Sequence, residues 1–310
     1  MITRARLIAI AGLVASLAVH VRGSQPAGGF APLTLRVTVE RPDGTPVTGL
    51  TASDFDLTLD GEAQPITSVS PADGPVSIVL LIDVSASMNM GDVASGVVLQ
   101  RALEQWFPLS LQRSDRGRVG SIGKRVFLSE RFTSDKHELV LAGFAARSVP
   151  AAERIGPSPI WDGIEAAASA LEWEGAPRAI ILLTDGRATG NRVSLREAGE
   201  HAMTSAVEIH IVAERDVPVA IPQLGGDMIH VMPGISLRWL AETTGGSYVT
   251  DKKFPWSDPG PLFDQAVKRI HSAYTIAFVP RSDDKVHNVE VKVKSPGLNV
   301  RARKQLLASR

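Results

Sequence analysis

Residues Val76–Met88 read VSIVLLIDVSASM. From Val76 to Ile82 every residue except Ser77 is apolar, and Val and Ile dominate. A short run of this kind reads as a strand buried on both faces. It stops at Asp83-Val84-Ser85-Ala86-Ser87. Open α/β sheets bind ligands outside the carboxyl ends of their strands, and these residues fall at such an end. Asp83, Ser85 and Ser87 alternate, so three oxygen-bearing side chains can converge while Val84 and Ala86 point away. Oxygen donors without His or Cys suit a hard cation such as Mg²⁺, Mn²⁺ or Ca²⁺. The same residues also fit an ordinary Asp/Ser helix cap, and the stretch alone does not separate the two readings.

The 310 residues suffice for one large or two medium domains, and 44% hydrophobic content allows a sizeable core. Lys plus Arg and Asp plus Glu number 33 each, which gives no electrostatic reason to expect nucleic acid or an anionic membrane as partner. The absence of Cys excludes disulfides, thiolate nucleophiles and Cys-ligated metals. Met1 to about Ser24 reads as a signal peptide. Arg4 and Arg6 precede a run, Leu7–Val21, that is apolar apart from Ser16 and His20 and is short for a membrane span. The chain is therefore expected to be exported, to a periplasm, cell envelope or exterior, with an uncleaved amino-terminal anchor as the alternative. No Cys follows the run, so a lipoprotein anchor is excluded. Residues 25–32 read as a linker.

Alternation at Leu33, Leu35, Val37 and Val39 predicts a half-buried strand. Pro42-Asp43-Gly44 predicts a turn. Val47–Leu50 and Asp54–Leu59 read as two further strands, and Pro65–Ser70 as a lead into Val76. Gly91–Phe107 carries a helical apolar stripe, Val119–Phe127 reads as a weak strand or hairpin, and Ser134–Ala146 as a helix. Gly123-Lys124 imitates a phosphate loop, but Arg118 stands where a glycine is required and Arg125 where a hydroxyl is required. A Gly/Pro-rich loop, Gly156–Ile164, opens a helix running to about Glu174. Ala179–Leu183 is a second buried strand, ending in Thr184-Asp185-Gly186. Helices at Arg196–Ser205, Leu237–Thr243 and Leu262–His271 alternate with strands at Val207–Val212 and Ser247–Val249. That alternation predicts a parallel, doubly wound sheet. From Ala273 the pattern returns to β, at Tyr274–Phe278, Val289–Lys294 and Leu298–Ala302.

The D-x-S-x-S of Asp83, Ser85 and Ser87 resembles the metal-ion-dependent adhesion site of von Willebrand factor A domains. In that family a loop threonine adds a hydroxyl, and Ser158 stands at the matching position. An aspartate after the neighbouring strand completes the site, and Asp185 matches it. The segments Val47–Phe55 (VTGLTASDF) and Val291–Arg303 (VKVKSPGLNVRAR) resemble those flanking the A domain in a bacterial secreted subfamily. The resemblance, over Leu33–Leu307, implies an α/β doubly wound A domain at 75–272. It also implies a small antiparallel β-sandwich-like domain built from 33–74 plus 273–306. It implies a divalent cation, Mg²⁺ first, held by Asp83, Ser85, Ser87, Ser158 and Asp185, and a partner protein presenting Asp or Glu.

An enzyme is not expected. The second Asp of aspartyl-phosphate phosphatases is missing after Asp83, no G-x-S-x-G occurs, and the seven His form no H-E-x-x-H pair. The competing readings are a structural component of an envelope assembly with an empty site and, behind it, a hydrolase. The basic run Arg301, Arg303, Lys304 is expected on the solvated face of a strand rather than in a nucleic-acid patch.

Overall fold

The computed structural model describes residues 32–88, 103, 107–175, 177–213, 219–222, 228–231, 233–250, 260–280 and 285–307. The signal peptide expected over Met1 to about Ser24, and nearly all of the helix expected over Gly91–Phe107, lie outside the described residues. In chain order the strands are β1 (Leu33–Glu40), β2 (Phe55–Leu59), β3 (Glu62–Ala63), β4 (Ile66–Pro71), β5 (Ser77–Asp83), β6 (Arg116–Ile122), β7 (Val126–Leu128) and β8 (Arg178–Thr184). They continue as β9 (Val207–Ala213), β10 (Val219–Pro222), β11 (Met228–Val231), β12 (Tyr248–Thr250), β13 (Tyr274–Phe278), β14 (Val286–Val293), β15 (Asn299–Ala302) and β16 (Gln305–Leu307). The longer helices are α1 (Lys136–Arg147), α2 (Ile160–Leu171), α3 (Leu195–Thr204), α4 (Pro233–Thr244) and α5 (Gly260–His271).

Six strands form the central sheet in the order β12-β9-β8-β5-β6-β7, parallel except for the β6–β7 hairpin. All seven residues of β5 are buried. Their side chains alternate between two layers. Ile78, Leu80 and Ile82 join Ala179, Ile181 and Leu183 under α1 and α5. Val79 and Leu81 join Ile180 and Leu182 under α2, α3 and α4. This two-sided cover is why β5 and β8 read as continuous apolar runs. The chain leaves β5 for β6 on one side and later enters β8 on the other. The strand order thus reverses at the β5/β8 boundary, where ligand crevices open in such sheets.

Two four-stranded antiparallel sheets, ordered β15-β1-β13-β4 and β16-β14-β2-β3, close over a separate core. Leu35, Val37, Phe55, Leu57, Ile276 and Phe278 are among its members, so both ends of the chain contribute to one sandwich. Two expectations change here. Val47–Leu50 is not a strand. The Val47 amide bonds the Val39 carbonyl at 2.8 Å, but the Tyr274 hydroxyl then donates to the Val47 carbonyl (2.9 Å) and accepts from the Leu50 amide (3.1 Å), so a side chain takes over where a ladder would continue. Pro65–Ser70 is not a mere lead, because Ile66–Pro71 forms β4 along β13. The strand β16 and the β10–β11 hairpin were not expected from the sequence.

The chain leaves the sandwich after Pro71 and returns at Tyr274, and these two residues are register partners. The Ala72 amide bonds the Ala273 carbonyl at 2.8 Å, so exit and entry lie side by side. Two ion pairs stitch the sandwich to the central layers. Arg36 of β1 meets Glu208 of β9 at 2.8 Å, and its Nη2 donates to the Ile270 carbonyl at 2.5 Å. Arg269 of α5 donates to Glu40 of β1, and both side chains are buried. Burial alone would raise Glu208, but the charges of Arg36 and His210 outweigh it and hold the carboxyl at about 2.

The basic run departs from expectation in the same region. Arg301 lies 3.5 Å from Glu40, and Arg303 donates to the Thr34 carbonyl at 3.0 Å. Lys304 is exposed, but both arginines belong to the junction rather than to a solvated face. The second layer that covers them is distant in sequence.

Candidate metal centre

Asp83 is the last residue of β5 and is wholly buried. Its Oδ1 accepts from the Ser85 amide at 3.0 Å and from the Ser158 hydroxyl at 3.3 Å. Its Oδ2 accepts from the Thr184 hydroxyl at 2.7 Å. The Ser85 and Ser87 hydroxyls are 3.0 Å apart. Ser85, Ser158 and Asp185 are buried, while Ser87 is half-buried at the mouth. The structure therefore gathers the five sequence-predicted residues at the carboxyl ends of β5 and β8.

Register explains the gathering. Ile82 pairs with Leu183, so one step further on Asp83 stands beside Thr184, and Asp185 projects past it. Gly186 has φ +78°, which turns the chain sharply after Asp185. The Gly186 amide then bonds the Thr184 hydroxyl at 2.9 Å, and the Arg187 amide bonds Asp185 Oδ1 at 3.0 Å.

Ser158 is fixed by the opposite loop. Its amide donates to the Thr189 hydroxyl, and its carbonyl accepts from the Thr189 amide, both at 2.9 Å. At Gly190, with φ +67°, a Cβ would lie 2.4 Å from the Pro157 ring, so only glycine lets the loops meet so closely. The start of α2 has no cap from its own Pro159. Asn191 Oδ1 takes the Trp161 amide at 2.8 Å instead, and Asp162 returns bonds to the amides of Arg192 and Val193. The two loops thus brace each other and hold Ser158 on Asp83.

Electrostatically the site joins two carboxylates, with Arg187 as the neighbouring cation. Burial, and then the adjacent charge of Asp185, push the Asp83 carboxyl up to about 6, against the hydrogen bonds from Ser85 and Thr184 that favour its ionised form. Asp185 Oδ2 is buried with no hydrogen-bond partner. It has an ion-pair neighbour, Arg187 Nε at 3.2 Å, aligned outside hydrogen-bond geometry. Among the described residues no group of three or more His, Cys, Asp and Glu is placed to hold a metal. The donor set is instead two carboxylates with hydroxyls around them. An all-oxygen set with a buried carboxylate oxygen that accepts no hydrogen bond fits a hard divalent cation.

Two residues of the site were not singled out from the sequence. Thr184 orients Asp83, and aligning the two apolar runs end to end would have placed it there. Arg187 holds the positive charge nearest Asp185, and nothing in its local sequence distinguishes it from a surface arginine.

No protein-family model matches the chain, and no curated protein does. Solved structures do. A von Willebrand factor type A protein from Catenulispora acidiphila aligns over 92% of this chain and 74% of its own, with TM-score 0.52 and 11% identity. The chain has the von Willebrand factor A fold. BatB from Bacteroides thetaiotaomicron aligns over 63% of this chain and 98% of its own, with TM-score 0.46 and 19% identity. The proximal thread matrix protein 1 of the mussel byssus, in a structure described as having a zinc-occupied metal-ion-dependent adhesion site, covers 67% of this chain and 48% of its own. Its TM-score is 0.49 and its identity 17%. In this A domain the candidate centre sits at the switch point of the sheet, and the sandwich meets the domain away from it.

Proposed function

We propose that this chain is an exported binding module whose A domain holds a divalent cation through Asp83, Ser85, Ser87, Ser158 and Asp185. Its ligand is an exposed Asp or Glu of a partner protein. The observation that carries this reading is the buried pair of like-charged carboxylates. The hydroxyls around them are neutral, and the half-exposed Arg187 offsets only part of that charge. Mg²⁺ is favoured over softer ions because every donor is oxygen. When bound, the cation supplies an electrophilic centre able to accept a carboxylate oxygen. The chain's own residues do the rest. Thr184 fixes the orientation of Asp83, the braced Gly156–Ile164 and Asp185–Ser194 loops hold Ser158, and Ser87 lines the mouth.

Export is supported by the charged start and apolar run of Met1–Ser24. Among the described residues no helix is long and apolar enough to cross a membrane. Binding is favoured over turnover by the one hydroxyl–imidazole–carboxylate series noted among the described residues. Ser247 lies 3.0 Å from His210 Nδ1, and His210 Nε2 lies 3.5 Å from Glu208, yet Ser247 is only 2% exposed and Glu208 is already paired with Arg36.

The test is affinity capture of an acidic partner in Mg²⁺ and in EDTA. Chelation is expected to abolish capture, as is Asp83→Ala. Neutralising the partner's acidic residue should abolish it too, without adding to the Asp83→Ala loss, because both changes remove the same bond. Capture that persists in EDTA overturns the reading and favours an envelope component working through another surface.

Arg187 gives a finer prediction. Its guanidinium competes for Asp185, so Arg187→Ala should tighten Mg²⁺ binding roughly fivefold, since a half-exposed ion pair is worth up to about 1 kcal/mol. Calorimetry with Mg²⁺ measures this directly, and weaker binding in the variant would show that Arg187 supports the site instead. Ser158→Thr, which keeps the hydroxyl, should bind Mg²⁺ at least as well as the parent.

A further inference from the structure

At the opposite end of the central sheet from the candidate metal centre, a cavity of about 120 Å³ opens between the A domain and the sandwich. Pro177, Val207 and Thr244 contribute the A-domain wall, Thr34 and Arg303 the sandwich wall, and Arg36 and Glu208 the seam. Such a space exceeds what one water needs several times over.

Its charge is unbalanced. Arg36 and Arg303 line it, against the single carboxylate Glu208. Arg36 uses Nε on Glu208 and Nη2 on the Ile270 carbonyl, and its Nη1 is buried with no hydrogen-bond partner. Arg303 uses Nη2 on the Thr34 carbonyl, and its Nε is likewise buried and unpartnered. Burial holds the Arg303 guanidinium below its ordinary pKa, and only Glu208 opposes this. A guanidinium cannot shed its charge at neutral pH, so a wall with two guanidiniums against one carboxylate keeps a net positive charge, and an oxyanion held in the cavity would balance it.

We propose that this junction cavity binds a phosphate-like oxyanion between Arg36 and Arg303, so that the anion ties β1 and the residue following β15 in the sandwich to β9 of the A domain. The same chemistry is offered by free phosphate and by a small phosphate monoester. The cavity is separate from the candidate metal centre, since its A-domain residues lie where β8 and β9 begin and the metal residues lie where β5 and β8 end.

The test is calorimetric titration of the whole chain, in EDTA and at ionic strength held constant with chloride. One arm uses inorganic phosphate and the other glycerol 3-phosphate. Saturable binding at one site is expected in at least one arm, and binding of the ester alone would identify an organic phosphate as the ligand. Arg303→Met should weaken binding at least tenfold, because it removes a charge-assisted donor. Glu208→Gln should tighten it, because it removes the opposing carboxylate and keeps an acceptor for Arg36. These opposite signs separate a bound anion from general loosening of the junction, which would weaken binding in both variants. No saturable binding of either compound by the parent protein, or equal binding by parent and Arg303→Met, overturns the proposal and leaves a water-filled space.

Discussion

In EDTA at neutral pH, Asp83→Asn is expected to be more stable than the parent protein, by on the order of 3 kcal/mol. The folded protein raises the Asp83 carboxyl from 3.8 to about 6 through burial and the Asp185 charge. A carboxyl raised in this way binds its proton more tightly folded than unfolded. Its contribution is present below the unfolded value of 3.8 and is lost as pH rises through about 6. Above that pH the metal-free parent carries two ionised carboxylates in one buried site, and the amide removes one of them. Urea unfolding in EDTA from pH 4.5 to 7.5 should therefore show the advantage of Asp83→Asn growing with pH. Added Mg²⁺ should then stabilise the parent and leave the variant unmoved. If the variant is less stable than the parent in EDTA at pH 7.5, the carboxylate is held by contacts that favour its charge, and the argument for a cation fails with it.

Arg269→Met is expected to cost about 3 kcal/mol, the lower end of what breaking one side of a buried ion pair costs. Glu40 is 1% exposed and Arg269 7%. Removing the guanidinium leaves a carboxylate away from water, with Arg301 at 3.5 Å as its remaining cation. That neighbour is why the lower end applies. Adding Glu40→Leu to Arg269→Met should recover most of the loss, because the cost lies in the orphaned charge rather than in missing attraction. Equilibrium unfolding of the two variants measures both numbers. A loss below about 1 kcal/mol for Arg269→Met would mean that Glu40 reaches solvent or Arg301 takes over fully.

The central sheet was legible because burial on both faces leaves an unmistakable mark. In β5 and β8 there is no polar face to hide the run, and the carboxylate that follows each run marks the strand's end. The sandwich was legible in part. Alternation at Leu35, Val37 and Val39, and at Tyr274, Ile276 and Phe278, gives strands but not partners, and partners decide whether Val47–Leu50 pairs. There the deciding group is a tyrosine hydroxyl 227 positions away from Val47. The same limit hid the junction. Arg36 and Arg303 occupy positions that alternation marks as solvent-facing, and only the tertiary fold lays the A domain against them. Within the candidate site, oxygen-bearing side chains in a fixed pattern pointed to Asp83, Ser85 and Ser87. Thr184 needed strand register, and Arg187 needed the turn that follows Gly186.

Pro71 and Tyr274 face each other across two hydrogen-bonded strands, about 5 Å apart as neighbouring strands are. The A domain is therefore slung from the sandwich by a double tether. Any pull on the A domain divides between two adjacent crossings, one of them anchored in β13, which is clamped on both sides by β1 and β4. A protease that severs one crossing leaves the other holding, so release of the A domain demands two cuts. For protein engineering the same feature defines a socket. Any insert whose ends emerge one strand-spacing apart could replace the A domain without asking the sandwich to open.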